Sequence, residues 1–185
     1  MRRAAAFGIG LCGAAALLFC ALAELRVSQA APEQAKWTET QWPFPMDQWG
    51  LGKAFRCKAA DCGAAVVVYI RAKVGFCSST RGVNDDNELD RLADFDFMEG
   101  RPSAMAASHE IAVAGMKGRA RVYAVTGVMR PHTTAFSIAF NNNDDALVAT
   151  AVFEAGPPDT AIEPAILAFL RGPVIQHWVT LTLGL

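Results

Sequence analysis

Three cysteines fall within the stretch Phe55–Cys77, FRCKAADCGAAVVVYIRAKVGFC. Thiols at that density can form a disulfide, a metal site or a redox pair. A redox pair calls for Cys-x-x-Cys at a helix N-terminus, where the dipole lowers the thiol pKa. Here four residues separate Cys57 from Cys62, in a context of strand and turn. Zinc could draw on Cys57, Cys62 and Cys77 with one of His109, His132 or His177, but no second pair with finger spacing follows, so no metal is assigned. Covalent haem would need Cys-x-x-Cys-His, which is absent. A strand over Gly63–Lys73 would run about 35 Å at roughly 3.3 Å per residue and hold Cys62 away from Cys77. Cys57 and Cys62, by contrast, flank one short turn, at the separation a bridge requires. Cys57–Cys62 is the expected disulfide; a bridge through Cys77 and a fully reduced state are the alternatives. Cys77 is then an odd thiol, packed as a small hydrophobe or bridging to another chain.

Four further clusters carry chemistry-bearing side chains. Seven carboxylates lie between Asp85 and Glu99, but NDDNELDRLADFDFM lacks the alternating oxygens and central Gly of a calcium loop and reads as a solvated helix face. From Lys117 to Arg130 there are four bases and no acid, a strip that suits an anionic ligand or, more simply, answers the acidic helix. Ser108-His109-Glu110 sets three reactive types side by side, yet neighbours on a strand point to opposite faces and form no relay. The segment KWTETQWPFPMDQWG carries Trp37, Trp42 and Trp49, either a platform for a sugar or peptide or an arm closing one end of a core, the second being the usual fate of such area. No Gly-x-Ser-x-Gly elbow, His-Glu-x-x-His or phosphate loop is present.

The elements that position these residues follow from periodicity. Lys53–Cys57 and Gly63–Lys73 read as strands joined by Lys58–Asp61. Asn84 can cap a helix through Met98, with Leu89, Leu92 and Phe95 or Ala93 facing inward. His109–Ala114 and Arg119–Thr126 predict a hairpin about Gly115–Gly118, with Arg119, Arg121 and Tyr123 on one face. A second hairpin, Thr134–Phe140 with Ala146–Phe153, turns through Asn141–Asp145. Pro157-Pro158-Asp159 opens a helix over Thr160–Leu170, and the β-branched run Val174–Leu183 predicts a last strand. The expected turn in the arm is Met46–Gln48, after the prolines around Phe44. The predicted class is α+β: an antiparallel sheet with two helices packed against it, preceded by a signal peptide.

The N-terminus carries that signal: Met1-Arg2-Arg3, an uncharged apolar run from Ala4 to Ala23, and small-x-small sites at Ala21-Leu22-Ala23 and Ser28-Gln29-Ala30. Cleavage after Ala30 is expected; an uncleaved membrane anchor is the competing outcome, since the run is near spanning length. Lipidation at Cys20 is disfavoured by the bulky Phe19. The organisation is then residues 1–30 as signal peptide, 31–52 as a Trp- and Pro-rich arm and 53–185 as one domain. Removing 1–30 takes Lys+Arg from 17 to 14 and Asp+Glu from 18 to 17, a net charge of 14 − 17 = −3, which argues against binding nucleic acid by bulk charge. The expected location is periplasmic or secreted.

In element order alone, over Trp42–Leu183, the chain resembles the PsbP-like fold family: a helix after the first strands, a long antiparallel meander, and a late helix feeding a last strand. The resemblance implies a small exported accessory or binding subunit and transfers no site residues. The function expected is a non-enzymatic accessory or binding protein of the cell envelope with no cofactor, its partner an envelope protein or small ligand. The candidate contact surfaces are Trp37, Trp42 and Trp49 and the strand face Arg119, Arg121, Tyr123. Metal or thiol handling through Cys57, Cys62 and Cys77, and an enzyme whose residues assemble only in three dimensions, are the alternatives.

Overall fold

The computed structural model describes residues 35–75, 82–98, 100–127, 133–154 and 162–184. The expected signal peptide, Cys77, His132, Arg130 and the Pro157-Pro158-Asp159 opening lie outside the described residues. Eight strands form one wholly antiparallel sheet: β1 (Thr38–Thr40), β2 (Lys53–Cys57), β3 (Val66–Lys73), β4 (Gly100–Ala104), β5 (His109–Val113), β6 (Met116–Gly127), β7 (Thr133–Asn142) and β8 (Asp145–Phe153). Their order is β1-β2-β3-β8-β7-β6-β4, with β5 sharing the outer edge of β6 with β4. The helices are α1 (Ala59–Cys62), α2 (Asp86–Leu92), α3 (Ile162–Leu170) and α4 (Pro173–Leu183), and Asp96–Met98 makes one 3-10 turn.

Alternation along each strand divides the sheet into two faces. One carries Phe55, Val66, Val68, Ile70, Ile138, Phe140, Leu147 and Phe153, and packs on Ile162, Ile166 and Leu170 of α3 and Ile175 and Val179 of α4. The other packs on α2 through Leu89 and Leu92, which meet Ala139, Ala146 and Val148. Phe95, just beyond α2, meets Tyr123, Val125 and Ala135 on the same side.

The α+β antiparallel class is as expected, but among the described residues there are four helices where two were expected. The C-terminal run Val174–Leu183 is helix, not strand, despite its β-branched content. Gly172 is its N-cap, Pro173 stands in the first turn, and Gly184 closes it at φ 69°. These are strong helix boundaries, and Ile175 and Val179, four residues apart, both reach the core. Burial on a helical stripe overrides strand propensity here.

The helix expected from Asn84 to Met98 is shorter and is capped by Asp85, whose carboxylate accepts the Glu88 N–H at 2.8 Å. It ends at Ala93 because Asp94 turns inward to buried cations. Two short edge strands, β1 and β4, were not anticipated. The first hairpin turns at Ala114 and Gly115, both at positive φ, so Met116–Gly118 belongs to β6. The second turns at Asn143 (φ 52°), inside the expected window. The arm turns one residue later than expected, with the Gly50 N–H donating to the Asp47 carbonyl at 3.0 Å.

Cys57 and Cys62 are joined by a disulfide, with Cα atoms 6.1 Å apart. The connecting residues form α1, one helical turn whose Gly63 cap, at φ 74°, returns the chain toward β3.

Candidate functional site

The site develops from the sequence VVVYIRAK of β3. Its odd-numbered members Val67, Tyr69, Arg71 and Lys73 lie on the α2 face, which places two cations in the middle of a sheet. Arg71 and Lys73 are each only 5% exposed, so they require counter-charges at contact distance. Asp94 supplies one: Arg71 Nε and Nη2 donate to its two oxygens at 2.8 and 2.5 Å, and Lys73 Nζ stands 2.9 Å from it. Lys73 also donates to the Leu92 carbonyl at the end of α2, at 2.8 Å. The remaining Arg71 nitrogen, Nη1, donates to Asp47 in the arm at 2.5 Å. One guanidinium therefore ties the sheet to the arm on one side and to the segment after α2 on the other.

The electrostatics agree with that geometry. Burial works to lower the Arg71 pKa, but Asp94 and then Asp47 outweigh it, and the guanidinium is held more firmly protonated than usual. Burial likewise works to raise Asp47, yet the Trp49 N–H and Arg71 hold its carboxyl below the ordinary range.

The clamp positions an aromatic cluster. Trp42 and Phe44 come from the arm, Tyr69 from β3 and Phe97 from the 3-10 turn. Phe44 lies 4.2 Å from Phe97 and 5.0 Å from Tyr69, centroid to centroid. Trp42 meets Phe44, Phe97 and Tyr69 edge-on at 5.3, 5.8 and 6.0 Å, and the Arg71 guanidinium stands 5.8 Å from the Phe97 ring centre. Trp42 also presses on Gly52, where a Cβ would come within 2.5 Å of its ring, so this position has no room for a side chain.

Beside the cluster, the α2 face of the sheet carries a groove of about 310 Å³. Val67, Val152 and Val125 line its floor, Phe44 and Tyr69 form a wall, and Arg56 and Glu154, paired at 2.9 Å and partly exposed, stand at its rim. An apolar floor with charged groups at one end fits a small molecule with an apolar body and a polar end.

The expected contact residues do not form one surface. Trp37 stacks on Phe169 of α3 at 4.4 Å, on the opposite face of the sheet. Trp42 belongs to the cluster, and Trp49 stands 5.8 Å from Lys73 Nζ. Arg119, Arg121 and Tyr123 share a strand face as expected and meet α2. Arg121 Nη1 reaches Asp90 at 3.1 Å and Asp86 at 3.4 Å, and the Tyr123 hydroxyl donates to Asp90 at 2.5 Å. Arg119 donates to Ser108, whose hydroxyl donates in turn to Asp86. That Ser108 bond, with the two arginines, holds the Asp86 carboxyl below its ordinary range. Burial first, and then the bond to Asp90, raises the Tyr123 pKa.

The neighbours of Ser108 behave as strand alternation requires: His109 turns away to Glu163 of α3 at 2.6 Å. Among the described residues no three His, Cys, Asp or Glu side chains converge as a metal-ligand set. The sequence reading missed Arg71, Asp94, Asp47, Phe44, Tyr69 and Phe97. The available signal was a pair of cations, Arg71 and Lys73, on one face of an otherwise apolar strand.

Compared with models of protein families, with curated proteins and with solved structures, the chain matches none.

Proposed function

We propose that this protein is an exported, non-enzymatic binding module of the cell envelope, and that the groove between its arm and its sheet holds a small amphipathic ligand. The observation that carries the reading is the wall. Phe44 and Phe97 are brought beside Tyr69 by a buried guanidinium that bonds both segments, Asp47 at 2.5 Å and Asp94 at 2.5 and 2.8 Å. Burying cations this way is costly in desolvation, and its effect is to hold Phe44, a groove wall, and the Phe97 ring packed behind it in place. Export is supported by the charged start and apolar run of residues 1–23 and by the small-x-small sites after it.

The test is titration with 1-anilinonaphthalene-8-sulfonate, a fluorescent probe with an apolar body and one anionic end. Saturable one-to-one binding is expected, with Kd raised at least tenfold in Val152→Trp, which fills the groove from its floor. Circular dichroism and Tm of the variant report whether the fold is kept. Equal binding by the folded variant and the parent would overturn the assignment.

A further inference from the structure

Two charges of opposite sign stand together at one end of the groove, and the sheet sets them there. Phe55 and Cys57 turn into the α3–α4 core, so Arg56 between them belongs to the α2 face. Its cross-strand partner is Val67, whose own partner on the other side is Val152. Arg56 therefore stands in line with the valine floor. Glu154 follows β8, two residues after Val152, and its N–H donates to the Ala65 carbonyl at 3.0 Å, which fixes its backbone. Arg56 and Glu154 are the only charged side chains among the described residues that line the groove. They pair at 2.9 Å, yet with side chains 58% and 39% exposed both remain open to solvent. An ion pair so exposed is weakly held, so a ligand that brings a counter-charge to each partner can part the two.

We infer that the ligand is a free α-amino acid with an aromatic side chain, an assignment that rests on the reading of the groove as a binding site. Its carboxylate lies against Arg56, its ammonium against Glu154, and its ring on the valine floor beside Phe44 and Tyr69. Three observations select it. The charges at the rim are opposite in sign and at contact distance, and an α-amino acid carries both complementary charges on one carbon. A ligand with a single charge would satisfy one rim group and deprive the other of its partner, whereas the zwitterion satisfies both. The planar guanidinium also matches a carboxylate in geometry. Next, the wall beside the apolar floor is built of rings, and aromatic pairs gain beyond the area they bury. Finally, a volume of about 310 Å³ stands at the low end of small-ligand pockets, roughly 300–1,000 Å³. It has room for one residue rather than a chain of several.

The test is isothermal titration calorimetry of the full chain at pH 7 with L-phenylalanine, 3-phenylpropanoate and 2-phenylethylamine. The second lacks the ammonium and the third the carboxylate. L-Phenylalanine is expected to bind one to one and at least tenfold more tightly than either analogue. Arg56→Gln should abolish its advantage over 2-phenylethylamine, and Glu154→Gln its advantage over 3-phenylpropanoate. Both residues are exposed, so the variants keep the fold, which circular dichroism checks. L-Phenylalanine bound no more tightly than the analogues, or equally by parent and folded variants, would overturn the inference. So would tighter binding of dodecylphosphocholine that depends on Arg56 and Glu154, since the zwitterionic head would then belong to a lipid. The anilinonaphthalene probe separates this failure from failure of the groove. Probe binding that Val152→Trp weakens, without a preference for L-phenylalanine, keeps the groove and rejects the amino acid.

Discussion

The two faces of the sheet are built from alternate residues of the same strands, yet they are held by different physics. On the α3–α4 face, Val66, Val68 and Ile70 of β3 enter a core built of aliphatic and aromatic side chains. On the α2 face, Tyr69, Arg71 and Lys73 of the same strand enter a layer of ion pairs, aromatic rings and buried hydroxyls. Burial of hydrocarbon is non-directional and scales with area, so the first face supplies cohesion that tolerates graded change. Ion pairs and guanidinium hydrogen bonds are directional and costly to leave half made. The second face therefore decides where the arm and the segment after α2 stand, and the arm's Phe44 is a wall of the groove.

The largest expected effect follows from this contrast. Asp94→Ala leaves Arg71 and Lys73 buried without their shared carboxylate, and is expected to cost about 3–5 kcal/mol in urea denaturation. A single-methylene deletion on the other face, Ile138→Val, is expected to cost about 1 kcal/mol. If Ile138→Val proved the more damaging of the two, the division of labour between the faces would be reversed.

A smaller effect tests the arm alone. Asp47 is partly exposed, and its bond to Arg71 is worth about 1.5 kcal/mol after allowance for solvent screening. The folded chain holds this carboxyl below its ordinary value of 3.8. The bond is therefore at full strength above that pH and is lost as acid protonates Asp47 below it. Asp47→Asn should lower stability at pH 7 by that amount and flatten the fall in stability below about pH 4. Ile138 carries no titratable group, so Ile138→Val should shift the stability curve without changing its shape.

The same division explains what the sequence made legible. Period-two hydrophobicity and clear turn signals such as Asn143 and Gly115 yield the meander, and the short Cys57–Cys62 spacing yields the disulfide. Those are local or pattern-level properties, and so is the α+β class. The missed residues depend on contacts distant in sequence: Arg71 meets Asp94 across 23 residues and Asp47 across 24, and no local pattern links them. Helix α4 was misread for a related reason. Its β-branched residues favour a strand locally, whereas the core accepts Ile175 and Val179 only at helical spacing. Its caps, Gly172-Pro173 and Gly184, were the readable counter-signal.

The most discriminating comparison has opposite signs on the two faces, and its Thr150→Val half is the smallest effect. Ser137 and Thr150 are cross-strand partners on the α2 face, both fully buried. Neither hydroxyl has a hydrogen-bond partner among the described residues. A buried hydroxyl left unpaired costs about 1–3 kcal/mol, most of which is recovered when an apolar group of the same shape replaces it. Valine matches threonine in shape and in strand propensity. Thr150→Val is therefore expected to stabilise the protein by up to about 1 kcal/mol, raising Tm by roughly 2–4 °C. Ala149→Ser, one residue earlier and facing the α3–α4 core, introduces a hydroxyl where every neighbour is apolar and should destabilise by about 1–3 kcal/mol. Calorimetry of the two variants side by side decides the matter: a loss in Thr150→Val would mean that its hydroxyl is paired.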